Sequence, residues 1–259
     1  MSAGIHKTAI VDPHAELDSS VEVGPYAVIG PHVRIAKGTR IGPHAVIEGR
    51  TTLGEGNHVF AHACLGGIPQ DHNYAGEETR LEIGDHNQFR EFCTVHIGTA
   101  QGGGVTRIGS RSLLMANSHV AHDVQLGDGC ILANSCALAG HVRVEDRVIF
   151  GGLSGIHQFT RVGRLAFISG GSMVTQDVAP YVTVQGDRAE VAGLNTVGLT
   201  RANFDEHAMA RVKSAYKILY RSKLGLREAV SRVRAEHGGH EEIDHLVAFL
   251  DGSERGIAR

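Results

Sequence analysis

The chain of 259 residues contains no tryptophan, and aromatic residues make up only 5% of it. Its core therefore has to be filled by aliphatic side chains rather than by large rings. Four cysteines, Cys64, Cys93, Cys130 and Cys136, form no C-x-x-C pair. That spacing argues against a zinc site or disulfide framework and fits small buried thiols in a reducing compartment. No run of eighteen apolar residues occurs, so no membrane span is expected. A net charge of −3 leaves no basic surplus, and no nucleic-acid partner is expected. Residues 1–7 lack the apolar core of a secretory signal, which makes the cytoplasm the expected location.

What the chain has in excess is 34 glycines and 17 histidines. Glycine at this level, without proline-rich or serine-rich runs, points to many turns rather than to disorder. The turns are periodic. Steps of six from Ile5 reach Val11, Leu17, Val23, Ile29, Ile35, Ile41, Ile47, Leu53, Val59 and Leu65. With roughly 45% of residues apolar in an average protein, such a run arises by chance about once in several thousand trials. A second array runs from Ile108 through Leu114, Val120, Leu126, Leu132, Leu138, Val144, Phe150, Ile156, Val162 and Ile168 to Val174, with Ile83, Phe89 and Val95 between the two. Glycine often follows the aliphatic residue, as at Gly24, Gly42, Gly109 and Gly127, and small residues such as Ala27, Ala45, Ser112 and Cys130 lie two before it.

Side chains alternate along a strand, so the aliphatic position and the one two before it face inward together. A short strand and a turn every six residues describe a three-sided prism with eighteen residues per coil, its interior filled by aliphatics. Coils stack about 4.8 Å apart, so residues eighteen apart lie over one another. The expected class is mainly β, a parallel β-helix from about Ile5 to about Pro180, followed by a small α-helical C-terminal domain. The expected division is 1–189 for the β-helix and 190–259 for the helices. Segments 66–82 and 98–106 break the register and read as projecting loops. Beyond Asp205 a helical period appears at Met209, Val212, Tyr216 and Leu219, then at Leu226, Val230 and Val233, with a stop at Gly238-Gly239 and a short last helix holding Ile243, Leu246, Val247 and Leu250. Between Arg201 and Glu236 nine basic residues face four acidic ones, which suits either an acidic partner or an ordinary solvated surface.

With the interior apolar, chemistry belongs on the outside. His119 precedes Val120 at an outward position, and His122 and Asp123 occupy the next turn. Counting by eighteen stacks Asp123 with His141, and His122 with Gly140 and Gln158, with His157 adjacent. Six polar or small residues thus gather at one corner over roughly 10 Å. A single turn histidine is most often just a solvated side chain. The cluster suits either a general base, His122 oriented by Asp123, or a zinc site with an open position for water.

Several uncommon stretches carry a resemblance. They are Q-D-H-N-Y-A-G-E from Gln70 to Glu77, H-I-G-T-A-Q-G-G-G from His96 to Gly104, L-L-M-A-N-S-H-V-A-H-D from Leu113 to Asp123, L-A-G-H-V from Leu138 to Val142, and H-Q-F from His157 to Phe159. In these the chain resembles, almost end to end, the UDP-N-acetylglucosamine O-acyltransferases of lipid A biosynthesis, within the hexapeptide-repeat acyltransferases. The resemblance implies a left-handed coil, a homotrimer with sites in the clefts between subunits, and transfer of a 3-hydroxyacyl chain from acyl carrier protein to the glucosamine 3-hydroxyl of UDP-N-acetylglucosamine. It implies no cofactor or metal, the donor being carried on the carrier's phosphopantetheine. By the same resemblance His122 is the base, Asp123 its orienter and the Gly140 N–H the oxyanion donor. Gln70, Asp71, Asn73, His119, His141, His157 and Gln158 would bind the sugar or order the site, Asn195 and Arg201 would hold the nucleotide, and Gly170 and Arg188 would bound the acyl chain.

The chain departs from the family pattern at Asn73, where lysine is common, at Val197 and Ala202, where glutamate and a second arginine are common, and at Arg188, where histidine is frequent. The rival readings are the N-acyltransferase of the same pathway, a zinc hydratase on the same fold, and a non-catalytic scaffold.

Overall fold

The structure, a computed structural model, describes residues 4–259; the first three residues of the expected β-domain lie outside the described ones. Among the described residues, 27 short strands precede four helices. The strands form three sheets of nine, eight and ten strands, the three faces of a prism. The first face runs from Ile10–Val11 to Met173–Val174, the second from Glu16–Leu17 to Arg161–Val162, and the third from Glu22–Val23 through Phe167–Ile168 to the last two strands.

Pairing is parallel with partners eighteen apart, as in Ile131↔Ile149 and Leu132↔Phe150. A strand of two residues suffices because one side chain faces out and the next in: Arg34 is exposed where Ile35 is buried. Leu53, Val59, Leu65, Leu114, Leu132 and Leu138 have no exposed surface, and Ala27, Ala45, Ala63 and Cys130, two before an aliphatic, are equally closed off. The first described coil is looser, with Ile5 at 54% exposure. Glycine after the aliphatic residue has a steric cause. At Gly42 an added Cβ would stand 2.9 Å from the backbone of Val59 and Phe60 in the next coil, a clash in which neither side can yield.

The interior is not wholly aliphatic. A buried polar ladder climbs one inner edge: Asn57 N–H donates to Thr39 Oγ1 (3.1 Å), Asn87 N–H to Asn57 Oδ1 (2.9 Å), Ser112 N–H to Asn87 Oδ1 (2.8 Å) and Cys130 N–H to Ser112 Oγ (3.0 Å). Each side chain supplies the acceptor for an amide in the next coil that would otherwise be buried without one.

Both register breaks are real but shorter than expected. Gly66 and Gly67 still belong to the strand Cys64–Gly67, and Arg80–Ile83 pairs on both sides, so the first loop is 68–79. The strand Val105–Ile108 likewise trims the second to 97–104. The first loop leaves the prism, but the second folds back onto it, as the site shows.

The sheet also outlasts Pro180. Val182–Gln185 adds a parallel strand to the third face, and Glu190–Leu194 returns antiparallel beside it, so residue 189 falls in the hairpin turn. Helix α1 (Thr196–Arg201) follows, too short to show a period in the sequence. Helix α2 (Glu206–Arg221) starts at Asp205, whose carboxylate accepts the Ala208 N–H at 2.7 Å; α3 (Leu226–His237) ends at Gly238, and α4 spans Glu241–Asp251. Tyr181, fully buried, seats this group on the prism: its hydroxyl accepts from Arg164 Nε (2.7 Å) and donates to the Glu242 carbonyl (3.1 Å).

Replacing Asn87 by alanine strips the Ser112 N–H of its acceptor and the Gly109 carbonyl of the Asn87 Nδ2 donor. A loss of about 1–3 kcal/mol is expected by chemical denaturation. An unchanged midpoint would mean that the ladder contributes nothing.

Candidate active site

The corner between the first and second faces gathers the expected residues. His122 and Asp123 form the turn between His119–Val120 and Gln125–Leu126. Asp123, His141 and Phe159 occupy the same place in three successive coils, each with φ between 61° and 65°. Such left-handed backbone costs non-glycine residues roughly 1–2 kcal/mol each. Stacking accompanies it here: the His141 and Phe159 rings lie 4.4 Å apart and nearly parallel, while His122 meets His141 edge-on at 5.1 Å. The His141 N–H donates to the His122 carbonyl (3.0 Å) and the Phe159 N–H to the Gly140 carbonyl (3.1 Å), which ties the three turns together.

Asp123 is the pivot. Its side chain is 1% exposed, and its Oδ2 accepts from His122 Nδ1 at 2.8 Å, with His141 Nδ1 at 3.8 Å. The second loop and the strand after it provide the rest of its shell. Thr99 donates its N–H to Oδ1 (2.8 Å) and its hydroxyl to Oδ2 (2.6 Å), and the Thr106 hydroxyl accepts the Asp123 N–H (2.7 Å). Gly102 lies so close that an added Cβ would overlap the carboxylate, about 2.0 Å from its carbon. The loop expected to project is thus a clamp on Asp123. Counting by eighteen misses Thr99 because the insertion breaks the register; the only signal was its place within the His96–Gly104 stretch.

Gly140 leaves room for the His122 ring to lie against it. A Cβ there would stand 2.6 Å from His122 Cε1, so any side chain would push the imidazole away. No acceptor among the described residues meets the Gly140 N–H. His119 Nδ1 bonds Thr94 Oγ1 at 2.7 Å. Asp71, from the first loop, accepts from Asn73 N (2.9 Å) and Nδ2 (3.1 Å); those bonds, chiefly the backbone one, and the charges of His122 and His141 hold its carboxyl below the usual range. Asn73 therefore acts on Asp71, and Gln70 stands exposed beside them. His157 and Gln158 are exposed on the third coil, and Arg255 Nη2 reaches His157 Nδ1 at 3.3 Å.

Burial lowers His119 and His141, and His122 lowers both further, although Asp123 pulls His141 the other way. The sequence reading missed His96, which lies 7% exposed against His119 with rings 4.9 Å apart. Its Nδ1 is buried with no partner, and burial pushes it down to about 4. His122, Asp123 and His141 also offer one ligand atom each within 4.8 Å of one another, close enough to share a cation.

Asn195 and Arg201 lie elsewhere. With Ile131, Ile149, Phe167 and Thr183 they line a pocket of about 520 Å³ on the third face, whereas His122 stands between the first and second. Asn195 also caps α1, accepting the Gly198 N–H (2.9 Å) and donating to the Leu165 carbonyl (2.8 Å).

Comparison with known proteins decides between the readings. Residues 177–258 match the profile described as UDP N-acetylglucosamine O-acyltransferase, domain 2, and residues 106–140 match the bacterial transferase hexapeptide profile. An acyl-[acyl-carrier-protein]–UDP-N-acetylglucosamine O-acyltransferase of Anaeromyxobacter dehalogenans is 66% identical over 98% of this chain and 99% of its own. The enzyme of that name from Myxococcus xanthus is 59% identical over 99% of this chain and 100% of its own. The chain belongs to the UDP-N-acetylglucosamine O-acyltransferase family. The solved structure of LpxA from Acinetobacter baumannii, 42% identical, superposes with a TM-score of 0.95 over 98% of this chain and 99% of its own, so the coil winds with the same hand.

On this family's prism the first face carries a further column that the sequence reading passed over. Outward from His119 stand Ala137, Gly155 and Met173, one per coil. Small residues leave a trough that Met173, 43% exposed, closes: its sulfur lies 2.9 Å from where a Gly155 Cβ would be. Three further steps of eighteen from His119 would have found it. Gly170, on the adjoining corner, has only the Gly152 backbone near its Cβ position, and Arg188 is exposed at the hairpin turn beyond.

A neutral buried His96 makes stability depend on pH. Below about pH 6.5 the unfolded chain takes up a proton that the folded chain refuses until about 4. Stability therefore falls as pH drops through that window, by about 3 kcal/mol at its acid end from this residue. A His96→Gln variant is expected to show a flatter melting-temperature profile between pH 6.5 and 4; equal slopes in both proteins would refute the assignment.

Proposed function

We propose that this chain transfers a 3-hydroxyacyl group from acyl carrier protein to the 3-hydroxyl of UDP-N-acetylglucosamine, the first step of lipid A biosynthesis. The observation that carries the reading is the His122 Nδ1–Asp123 Oδ2 bond of 2.8 Å beside the free Gly140 N–H. With Nδ1 donating to the carboxylate, Nε2 keeps its lone pair and can take the proton from the attacking hydroxyl. The oxygen attacks the thioester carbonyl, and the Gly140 N–H meets the developing oxyanion. Collapse expels the pantetheine thiolate, to which His122 returns the proton. A thioester is already activated, so a base and an oxyanion donor suffice.

In this reading Asp71, with Asn73, Gln70 and His119, faces the glucosamine, while His141, His157 and Gln158 complete the corner. The trough of Ala137 and Gly155 takes the acyl chain, bounded by Met173, Gly170 and Arg188. The basic α2 and α3 receive the acidic carrier protein. No cofactor enters this scheme. The buried free thiols Cys93, Cys130 and Cys136 support a reducing, cytoplasmic setting.

Asn195 and Arg201 serve the nucleotide only if a second copy brings its third face to the His122 corner of the first. That separation within one protomer supports a homotrimer with sites between subunits, since closed rotational symmetry repeats such a contact at every site.

The direct test is an assay of the purified protein with UDP-N-acetylglucosamine and 3-hydroxyacyl carrier proteins of several lengths. Transfer surviving exhaustive chelation is expected, with His122→Ala lowering kcat about 10²–10⁴-fold while the protein folds normally. Full activity of that variant would remove the base assignment, and transfer lost on chelation and restored by zinc would favour the metal reading that the His122–Asp123–His141 cluster permits.

Shared sites make a second prediction. His122→Ala and Arg201→Ala proteins, each nearly inactive, are refolded together. Mixed assemblies contain some clefts with both residues intact, and recovery of about a quarter of wild-type activity is expected at equal mixing. No recovery beyond the sum of the two would show that each site is built within one chain.

A further inference from the structure

We propose that a groove on the second face seats the phosphodiester of the donor's phosphopantetheine arm, a deepening that rests on the transferase reading above. The groove, about 1140 Å³, starts at Asp123 and His141 and runs along the coils to Phe249 and Arg255 in the C-terminal segment. One end is therefore the catalytic corner itself.

Its charge is the informative feature. Arg143 and Arg161 stand one coil apart on neighbouring strands, and Arg255 comes from the far wall. The groove's carboxylates are mostly occupied. Glu145 bonds His245 (2.7 Å), Asp177 accepts from the Arg161 N–H and the Ser253 hydroxyl (2.8 Å each), and Asp123 is held by Thr99. Arg107 is matched by Glu82 (2.8 Å). Among the described residues, Arg143, Arg161 and Arg255 form no ion pair, although Glu145 lies near enough to Arg161 to feel its charge, and Glu254 stands exposed in the groove.

Arg161 is also fixed in place. Its guanidinium lies 4.3 Å over the Phe249 ring, and Nη1 donates to the Phe249 carbonyl at 3.3 Å. Arg255 Nη2 donates to the Thr175 carbonyl at 3.3 Å. These contacts hold two guanidinium groups near the exposed Arg143 without neutralising them. Guanidinium groups pair with phosphate oxygens through parallel N–H donors, which makes the cluster a seat for a phosphate ester.

Two phosphate esters meet in the reaction, the acceptor's diphosphate and the donor's phosphodiester. The acceptor's nucleotide is assigned to Asn195 and Arg201 on the third face, so the second-face groove falls to the donor. The thioester would lie at the corner, and the arm would pass between Gln125 and Phe159 to the arginines.

The test uses the whole protein and two small donors, a 3-hydroxyacyl phosphopantetheine thioester and its dephosphorylated pantetheine counterpart. For the wild type, kcat/KM is expected to favour the phosphorylated donor about tenfold, through KM. In Arg143→Gln, and further in Arg143→Gln/Arg255→Gln, that ratio should fall toward one. Arg143 forms no side-chain hydrogen bond among the described residues, so its replacement should not disturb the fold. The proposal is overturned if the ratio stays near ten in the variants, if the wild type shows no preference, or if the variants raise KM for UDP-N-acetylglucosamine instead. Those outcomes leave the transferase reading intact, because transfer is still observed. Wild-type protein inactive with these donors and with acyl carrier protein alike would overturn both.

Discussion

Everything in this molecule depends on the parallel hydrogen-bond ladder that joins each coil to the next. Because partners are eighteen residues apart, a residue's place in the coil decides its neighbours above and below. Inward columns become a core, outward columns become troughs, and turn columns become corners. The ladder also imposes conditions that side chains must meet. Amides at the inner edge need acceptors, which Thr39, Asn57, Asn87 and Ser112 supply in succession. Turn residues need positive φ, and at the active corner those are Asp123, His141 and Phe159, whose backbone strain is shared along the column.

Counting alone made much of this legible. Asp123 over His141 and His122 over Gly140 follow from the register, and the structure brings them into contact. The same count reaches Met173 from His119, three coils on. Thr99 is different. It belongs to an insertion, and no periodicity predicts where an inserted loop returns to the prism. The Asn57–Asn87 ladder was hidden for a third reason: an aliphatic pattern at one inward position says nothing of whether the position two before it must satisfy an amide. Helix α1 escaped because six residues carry less than two turns of a helical period.

The electrostatics of the corner centre on one carboxylate among several imidazole rings. Asp123 is buried, which is tolerable only because Thr99 supplies two donors and His122 a third. A carboxylate so fully engaged cannot swing, so its bond to His122 fixes which imidazole nitrogen is free. Burial disfavours the charged form of His96, His119 and His141, whose rings add hydrogen-bonding atoms to the corner.

A prism built on an open ladder has a further problem at its ends, where unpaired strand edges invite another chain. At the C-terminal end Val182–Gln185 still pairs in parallel, but Glu190–Leu194 then runs antiparallel beside it and cannot template another coil. The C-terminal segment closes a second edge, with Ala258 N–H donating to the Asp177 carbonyl at 2.8 Å. Tyr181, bonded to Arg164 and to α4, holds the helices over what remains. The helical cap is thus required by the β-helix before any ligand is considered. That requirement also explains why Asn195 both terminates the hairpin and starts α1. The cap presents Asn195 and Arg201 on the third face, away from the His122 corner of the same chain, so only a neighbouring copy could bring the two together in the proposed site.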